Sequence, residues 1–568
     1  DTIINPEADA KTLTGSTNIV GHNVTIKAPS KSVGKIGQAI SANLETGTSQ
    51  EKLKVFKELS LADVGDFTMS NDGLLTVTLK RPVTIDASGT TNVLANDNVF
   101  LASTDTGSLT VGKVESKQGA VRVLANNGVL PGLANNATTI SGTEVTIRGG
   151  EGSIGLADNL INVHAANWVA LSAQSGIYVK AIDAQGQLGD MTVYAMAGGD
   201  QVKINAKNLY AYEGDPIQSD ADLVDFSILG YIKGENLLFD VANDFGKEDE
   251  RLRFGSNSDI KFTGTIKNFW AHAMGTGELN LAGINASGVL DLTADDKVSL
   301  GNPDTAMQAK SVIVDAANTI TVKGGIETTG TDDEDKLALN SRNDAITVVD
   351  GAQMVSTTDI DMTAKKVLTV QGGSITAAND VHLEGASVKT TGGRITAQNG
   401  GAALTATAGN IEAEGVVVEA ADDVILNATG KVTADSVSLT SHDGTIKVES
   451  SGDVTSITNA TLDAGSMIEL TAASLLDLSG STVTGAGLTA KVTANGGILR
   501  ANNFSSDVTG ALAMDSKGSV ELAKTSEEED KGKLTAQSVS ITAVGALDAE
   551  KTTISSTSGQ TKLTSTEG

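Results

Sequence analysis

Apolar residues along this chain come in short alternating bursts. Val437-Ser438-Leu439, Ile446-Lys447-Val448 and Val539-Ser540-Ile541 place aliphatic side chains at i and i+2, the period of a β-strand. Between bursts stand Gly, Asn, Asp, Ser and Thr, which suit tight turns and left-handed backbone. Strands this short and this numerous fit a sandwich, a barrel or a solenoid, and internal repetition decides among them.

Two kinds of repeat are present. Gly430-Lys431-Val432-Thr433-Ala434-Asp435-Ser436-Val437-Ser438-Leu439-Thr440 recurs as Gly532-Lys533-Leu534-Thr535-Ala536-Gln537-Ser538-Val539-Ser540-Ile541-Thr542, with an echo at Ala309-Lys310-Ser311-Val312-Ile313-Val314. A Gly-x-Ile-x-Ala motif begins at Gly373, Gly393 and Gly409, about one every 16–20 residues. Units of this size cannot bury an apolar face alone and must stack on their neighbours. With no helices between the strands, the expected fold is all-β, a parallel β-helix (β-solenoid). Rungs roughly 4.8 Å apart, each of roughly 20 residues, would make a rod on the order of 100–140 Å long.

The first half carries a longer repeat. Gly21-His22-Asn23-Val24-Thr25-Ile26-Lys27 parallels Gly142-Thr143-Glu144-Val145-Thr146-Ile147-Arg148. A companion motif runs from Asn98-Val99-Phe100-Leu101 to Gly107, from Asn167-Trp168-Val169-Ala170 to Gly176, and from Asn268-Phe269-Trp270-Ala271 to Gly277. Thr48 and Glu51 fit a capping box, with Leu53, Phe56 and Leu59 near one helix face. The expected organisation is N-terminal rungs over 1–47, a short helical insertion at 48–66, and a β-helix with duplicated blocks over 67–208. An aromatic-rich insertion at 209–258 and a regular stalk over 259–568 follow. The unfinished pattern at Leu563-Thr564-Ser565-Thr566 suggests a piece of a longer protein, and the start at Asp1 suggests a chain that is either processed or a cut-out piece.

Composition narrows the function classes. Among 568 residues there are 62 Gly, 6 Pro, no Cys and only 3% aromatics, so burial must come from many small aliphatic layers. The balance of 41 basic against 70 acidic residues, net −29, argues against nucleic acid and anionic membranes as partners. No apolar run approaches the roughly 18 residues of a membrane span. Without Cys there are no disulfides, thiolate metal sites or thiol chemistry.

At this point the residues carry a resemblance. Val145-Thr146-Ile147, then Gly150-Glu151-Gly152-Ser153-Ile154-Gly155 with Asn159 and Leu160, then Asn167 to Gly176, resemble the N-terminal part of filamentous-haemagglutinin-like large bacterial exoproteins, including the leukotoxin-like filamentous adhesins. The resemblance spans roughly residues 18–290, and the later Gly-x-Ile-x-Ala rungs resemble generic haemagglutinin repeats. Asn5-Pro6-Glu7 matches only a fragment of the Asn-Pro-Asn-Gly opening found in such proteins. The resemblance implies a right-handed β-helix, secretion to the bacterial cell surface, and adhesion to a host or neighbouring-cell receptor or glycan.

Individual constellations add less. Gly150-x-Gly152-x-x-Gly155 has dinucleotide-fingerprint spacing but reads as a turn, because no helix pattern follows. The pairs Asp295-Asp296 and Asp422-Asp423 read as turn formers, with calcium as the alternative should such turns stack. Adjacent carboxylates on a strand diverge, so neither pair forms a glycosidase site, and the expectation is no enzyme. The five His are scattered without metal spacing, and Asn136, Asn285, Asn427 and Asn459 open glycosylation-like triplets of the kind chance supplies in a Thr-rich chain. All five Tyr and both Trp lie between Trp168 and Trp270. Tyr178, Tyr210, Tyr212, Tyr231 and Trp270 are therefore the candidate ligand contacts, against the alternative that they supply a small local core. The expected function is the stalk of a secreted surface adhesin or fibre. A self-assembling filament or matrix scaffold is one alternative, and a polysaccharide-acting enzyme is another.

Overall fold

A computed structural model describes residues 19–36, 40–43, 46, 48–52, 67–70, 74–77, 80–104, 106–214, 229–255, 258–332, 334–529 and 531–567. It is a parallel β-solenoid of about 21 turns. Two compact units divide the chain, Asp1–Gly275 and Thr276–Gly568.

In the second unit each turn contributes three strands, one to each face. On the first face Ile360 pairs with Val381, Val381 with Ala402, Ala402 with Val424 and Val424 with Ile446. The second face stacks Leu368, Val388, Ile411 and Val432. On the third, Met354, Ile375, Ile395, Val418, Leu439 and Leu462 are in register. All these side chains are buried, and their strand neighbours point out, as a two-residue period requires. The core is therefore a set of aliphatic columns, which explains why so few aromatics suffice.

The repeats align differently from their spacing. The motif copies at Gly373 and Gly393 do stack, Ile375 on Ile395 and Ala377 on Ala397. The Gly409 copy does not follow them, because its Ile411 pairs with Val388 and Val432 on the second face. Likewise Val432 lies on the second face, whereas its counterpart Leu534 pairs with Ser506 on the third. A turn glycine followed by in-out alternation suits any face, so one local pattern serves at different phases of the turn.

The first unit has the same parallel pairing with one excursion. Val24–Ala28 pairs with Thr91–Ala95. Between them Lys35–Ile36 pairs antiparallel with Lys80–Arg81, and Ile40–Asn43, Leu74–Val77 and Phe67–Met69 form a small antiparallel sheet. The excursion is thus wider than the 48–66 insertion, and the strands Phe67–Met69 and Leu74–Val77 belong to it rather than to the parallel sheets. Within it a helical turn at 49–52 starts at the capping box. The Thr48 N–H and hydroxyl each donate to Glu51 Oε2 at 2.8 Å, and the Glu51 N–H donates to Thr48 Oγ1 at 3.3 Å. These bonds, the Thr48 N–H first, hold the Glu51 carboxyl below the usual carboxylate range. Leu53, Phe56 and Leu59 lie outside the described residues.

The described parts of 209–258 run as solenoid strands: Tyr231–Lys233 pairs with Met191–Gly198, and Asn236–Val241 with Gln201–Ala206. Their phenylalanines form an inner core. Phe245 stacks on Phe269 with centroids 5.0 Å apart, and Phe239 packs edge-on against Phe245 at 4.9 Å.

Candidate functional site

The aromatic residues fall into an inner and an outer set. On the outer face a buried cluster joins Phe100, Ala102, Leu124, Trp168, Ala170, Tyr194 and Ala195, with Tyr212 and Leu229 packed against it. Trp168 lies 4.9 Å from Tyr194, which lies 5.4 Å from Tyr212. The Arg122 guanidinium sits 5.5 Å over the Trp168 ring and 3.3 Å from Glu144 Oε2. Only 2% of Arg122 is exposed, so this cation is held by a ring face and a carboxylate in place of water.

A change of register puts Trp168 there. In the Asn-to-Gly motif the residue after Asn is Val99 in one copy and Phe269 in another, and both point inward. In the third copy the strand Thr139–Gly150 meets Ile161–Ala173 with a register shift, and Val169 takes the inward place beside Val145. One residue of slip exchanges the faces of a strand, so Trp168 is turned outward.

Of the expected contact residues, only Tyr212 joins this cluster. Tyr178, Tyr210, Tyr231 and Trp270 are half-buried on four separate strands. The Tyr178 ring lies across Gly176, where an added Cβ would come within 2.8 Å of it. Lys247 Nζ sits 5.1 Å over the Tyr210 ring. Burial, then the charges of Asp244 and Asp190, pushes the Tyr210 phenol up, and burial alone does the same for Tyr231. On Asn268–Met274, Trp270 points out while Phe269 and Ala271 point in. Phe100, Arg122, Leu124, Trp168 and Tyr194 were not among the expected contacts, although Phe100 and Trp168 stand in the Asn-to-Gly motif and Tyr194 in the aromatic belt.

The acidic turns are hydrogen-bonding corners. Asp423 Oδ1 accepts the Thr445 N–H at 2.7 Å, and Asp380 Oδ1 accepts the Gly401 N–H at 2.7 Å, 21 residues on. Asp296 accepts the Gly277 N–H and the Asn318 amide, both at 2.7 Å. Those bonds, the Asn318 one first, hold its carboxyl below the usual range. Asp295 and Asp422 are exposed. The turn after Asp422-Asp423 carries Gly444-Thr445 and the turn before it Gly400-Gly401, so these carboxylates do not stack on one another. Among the described residues no group of three or more His, Asp or Glu is placed to hold a metal ion. The Gly150–Gly155 segment leads through a turn into the strand Ile161–Ala173.

The third face of the second unit presents two outward columns. Ser438, Thr461, Thr482 and Ser505 form one, and Thr440, Asp463, Thr484 and Asp507 the other. The Thr484 hydroxyl donates to Asp463 Oδ1 at 2.8 Å, so neighbouring rungs are buttoned along the column. Beside it runs an open trough of about 340 Å³ lined by His442, Asp463, Gly465, Gly485, Asp507 and Thr509. His442 Nε2 lies 3.1 Å from Glu419 Oε1. Asp463 and Asp507 stand two rungs apart, roughly 10 Å at ordinary strand spacing, a cross-rung pair that sequence alone does not place. The signal for these columns was the Thr-x-Asp and Thr-x-Thr alternation, legible once the register was known.

No helix among the described residues is long and apolar enough to cross a membrane. Compared with known proteins, the chain matches no family model, no curated protein and no solved structure.

Proposed function

We propose that this chain is a solenoid segment of a bacterial surface adhesin or fibre, which attaches cells by presenting repeated polar contacts to a receptor or glycan on a neighbouring surface. The observation that carries the reading is the pair of outward columns over Ser438–Asp507, in which every rung presents hydroxyls and alternate rungs add a carboxylate, Asp463 and Asp507. Such a face makes several weak, similar contacts, and a repeating partner converts them into avidity. The motif resemblance to filamentous-haemagglutinin-like exoproteins supports the same reading and the surface location. Net charge of −29 keeps neighbouring copies apart while the columns stay accessible.

The test is adhesion of beads coated with the purified chain to bacterial and epithelial cells. Coated beads adhere above an albumin control, and the double variant Asp463→Lys, Asp507→Lys, with unchanged circular dichroism, loses most of that adhesion. Adhesion no greater than the control on every cell type sinks the proposal.

A further inference from the structure

A polar hollow in the first unit lies away from the aromatic cluster. It is a groove of about 600 Å³ over the strands Leu109–Ser116, Thr139–Gly150 and Ile161–Ala173. Its floor is one outward column, in which Glu115 pairs with Ser141 and Ser141 with His164. Thr139 and Thr143 flank the column, and the turn 183–186 walls one side.

That wall is built to stand. Asp183 Oδ1 accepts the Gln185 N–H at 2.9 Å and the Gln187 N–H at 2.8 Å, and the Asp183 N–H donates to the Gln187 carbonyl at 2.9 Å. Gly186 has φ 77°, a left-handed conformation that favours glycine even though the space around it is open.

The polar groups of the groove divide into spent and unspent ones. Lys113 Nζ is 2.9 Å from Glu115 Oε2, and the Asp183 carboxylate is occupied by its own turn. His164 Nδ1 lies 3.0 Å from the Ile182 carbonyl oxygen. A carbonyl only accepts, so in the neutral ring Nδ1 carries the proton and Nε2 is left as an acceptor. Lys117, exposed at the rim, has no ion pair among the described residues. One unspent ammonium thus stands beside hydroxyls, a ring nitrogen and a carboxylate that can all bond to sugar hydroxyls.

We propose that this groove binds a hexuronate unit of an acidic polysaccharide, with its carboxylate on Lys117 and its hydroxyls on Glu115, Ser141 and His164 Nε2. The volume lies within the roughly 300–1,000 Å³ of small-molecule sites. A single negative charge matches the single unspent cation, whereas Glu115 and Asp183 repel a polysulfated or phosphorylated chain. The proposal does not rest on adhesion, because binding is measured on the purified chain in solution.

The experiment is a calorimetric titration of that chain with three galactose trisaccharides, one carrying a single galacturonate unit, one neutral and one heavily sulfated. The expected result is binding of the uronate alone, weakened roughly 10-fold or more by Lys117→Ala, as loss of a charge-assisted hydrogen bond implies. Ser141→Trp, which fills the groove from an outward position, abolishes binding while thermal unfolding stays at the parent temperature. Absence of uronate binding at millimolar concentration, equal binding of the neutral sugar, tighter binding of the sulfated one, or an unaffected Lys117→Ala variant each overturns the proposal.

Discussion

Asp380 and Asp423 show how single residues hold successive turns together. Each carboxylate accepts a backbone N–H of the following turn, and the glycine seated over it leaves the room. A Cβ at Gly400 would lie 2.3 Å from Asp380 Oδ1, and one at Gly444 would lie 2.5 Å from Asp423 Oδ1. Space requires glycine at both places. Gly444→Ala is expected to lower stability by about 1–3 kcal/mol, the usual cost of overpacking, read as a lower urea midpoint. Ser506 is the opposite case: its buried hydroxyl has no hydrogen-bond partner and interrupts the column between Val483 and Leu534. Ser506→Val is expected to raise the midpoint, by about 1 kcal/mol, since it removes an unsatisfied polar group and adds apolar contact. A lower midpoint would show that the site has no room for the extra methyl group.

At the scale of the element, the strand is the unit of alternation and the turn of the solenoid is the unit of register. Val-Thr-Ile or Ser-Ile-Thr-Ala is enough to specify which side chains face in, but not which of the three faces the strand joins. The Gly430 and Gly532 segments share ten-residue similarity and still occupy different phases, because corners and loop lengths set the phase. The same independence explains Trp168, whose outward place follows from a register shift that no local pattern announces. Within a column the energetics are those of a packed core. Leu426 is buried between Leu404 and Val448, so Leu426→Ala is expected to cost about 2–5 kcal/mol. Because a turn of a solenoid contacts mainly its neighbours, amide hydrogen exchange should rise most in the turns that flank Leu426. Uniform acceleration along the whole chain would argue for a single cooperative unit instead.

Across the molecule, acid should act through specific carboxylates. Asp296, Asp344 and Asp435 are all held below the usual carboxylate range, foremost by hydrogen bonds from the Asn318 amide, the Thr319 hydroxyl and the Thr458 hydroxyl. A carboxyl whose folded value is depressed contributes its full stability above the unfolded value, about 3.9, and loses it as the pH falls through the folded value. The urea midpoint of the second unit is therefore expected to fall as the pH drops below about 4, and less steeply when all three residues are replaced by Asn. An identical acid profile in the triple variant would move the cause elsewhere among the 70 acidic residues.

The sequence by itself determined the class of fold: period-two alternation, turn residues at short intervals and near-absence of aromatics leave stacked aliphatic columns as the way to bury apolar surface. Those signals are local, and a solenoid is built from contacts that repeat from one turn to the next. It also marked Thr48 and Glu51 as a cap and the Asp pairs as corners, since both depend on neighbours a few residues away. Only the tertiary structure decided which copies of a motif stack, that Trp168 and Tyr194 gather with Phe100 on the outside, and that Glu115, Ser141 and His164 share one column. Those residues meet across turns whose lengths vary. A one-residue change in register exchanges the two faces of a strand, and a continuous apolar run such as Trp168-Val169-Ala170-Leu171 reads the same in either register.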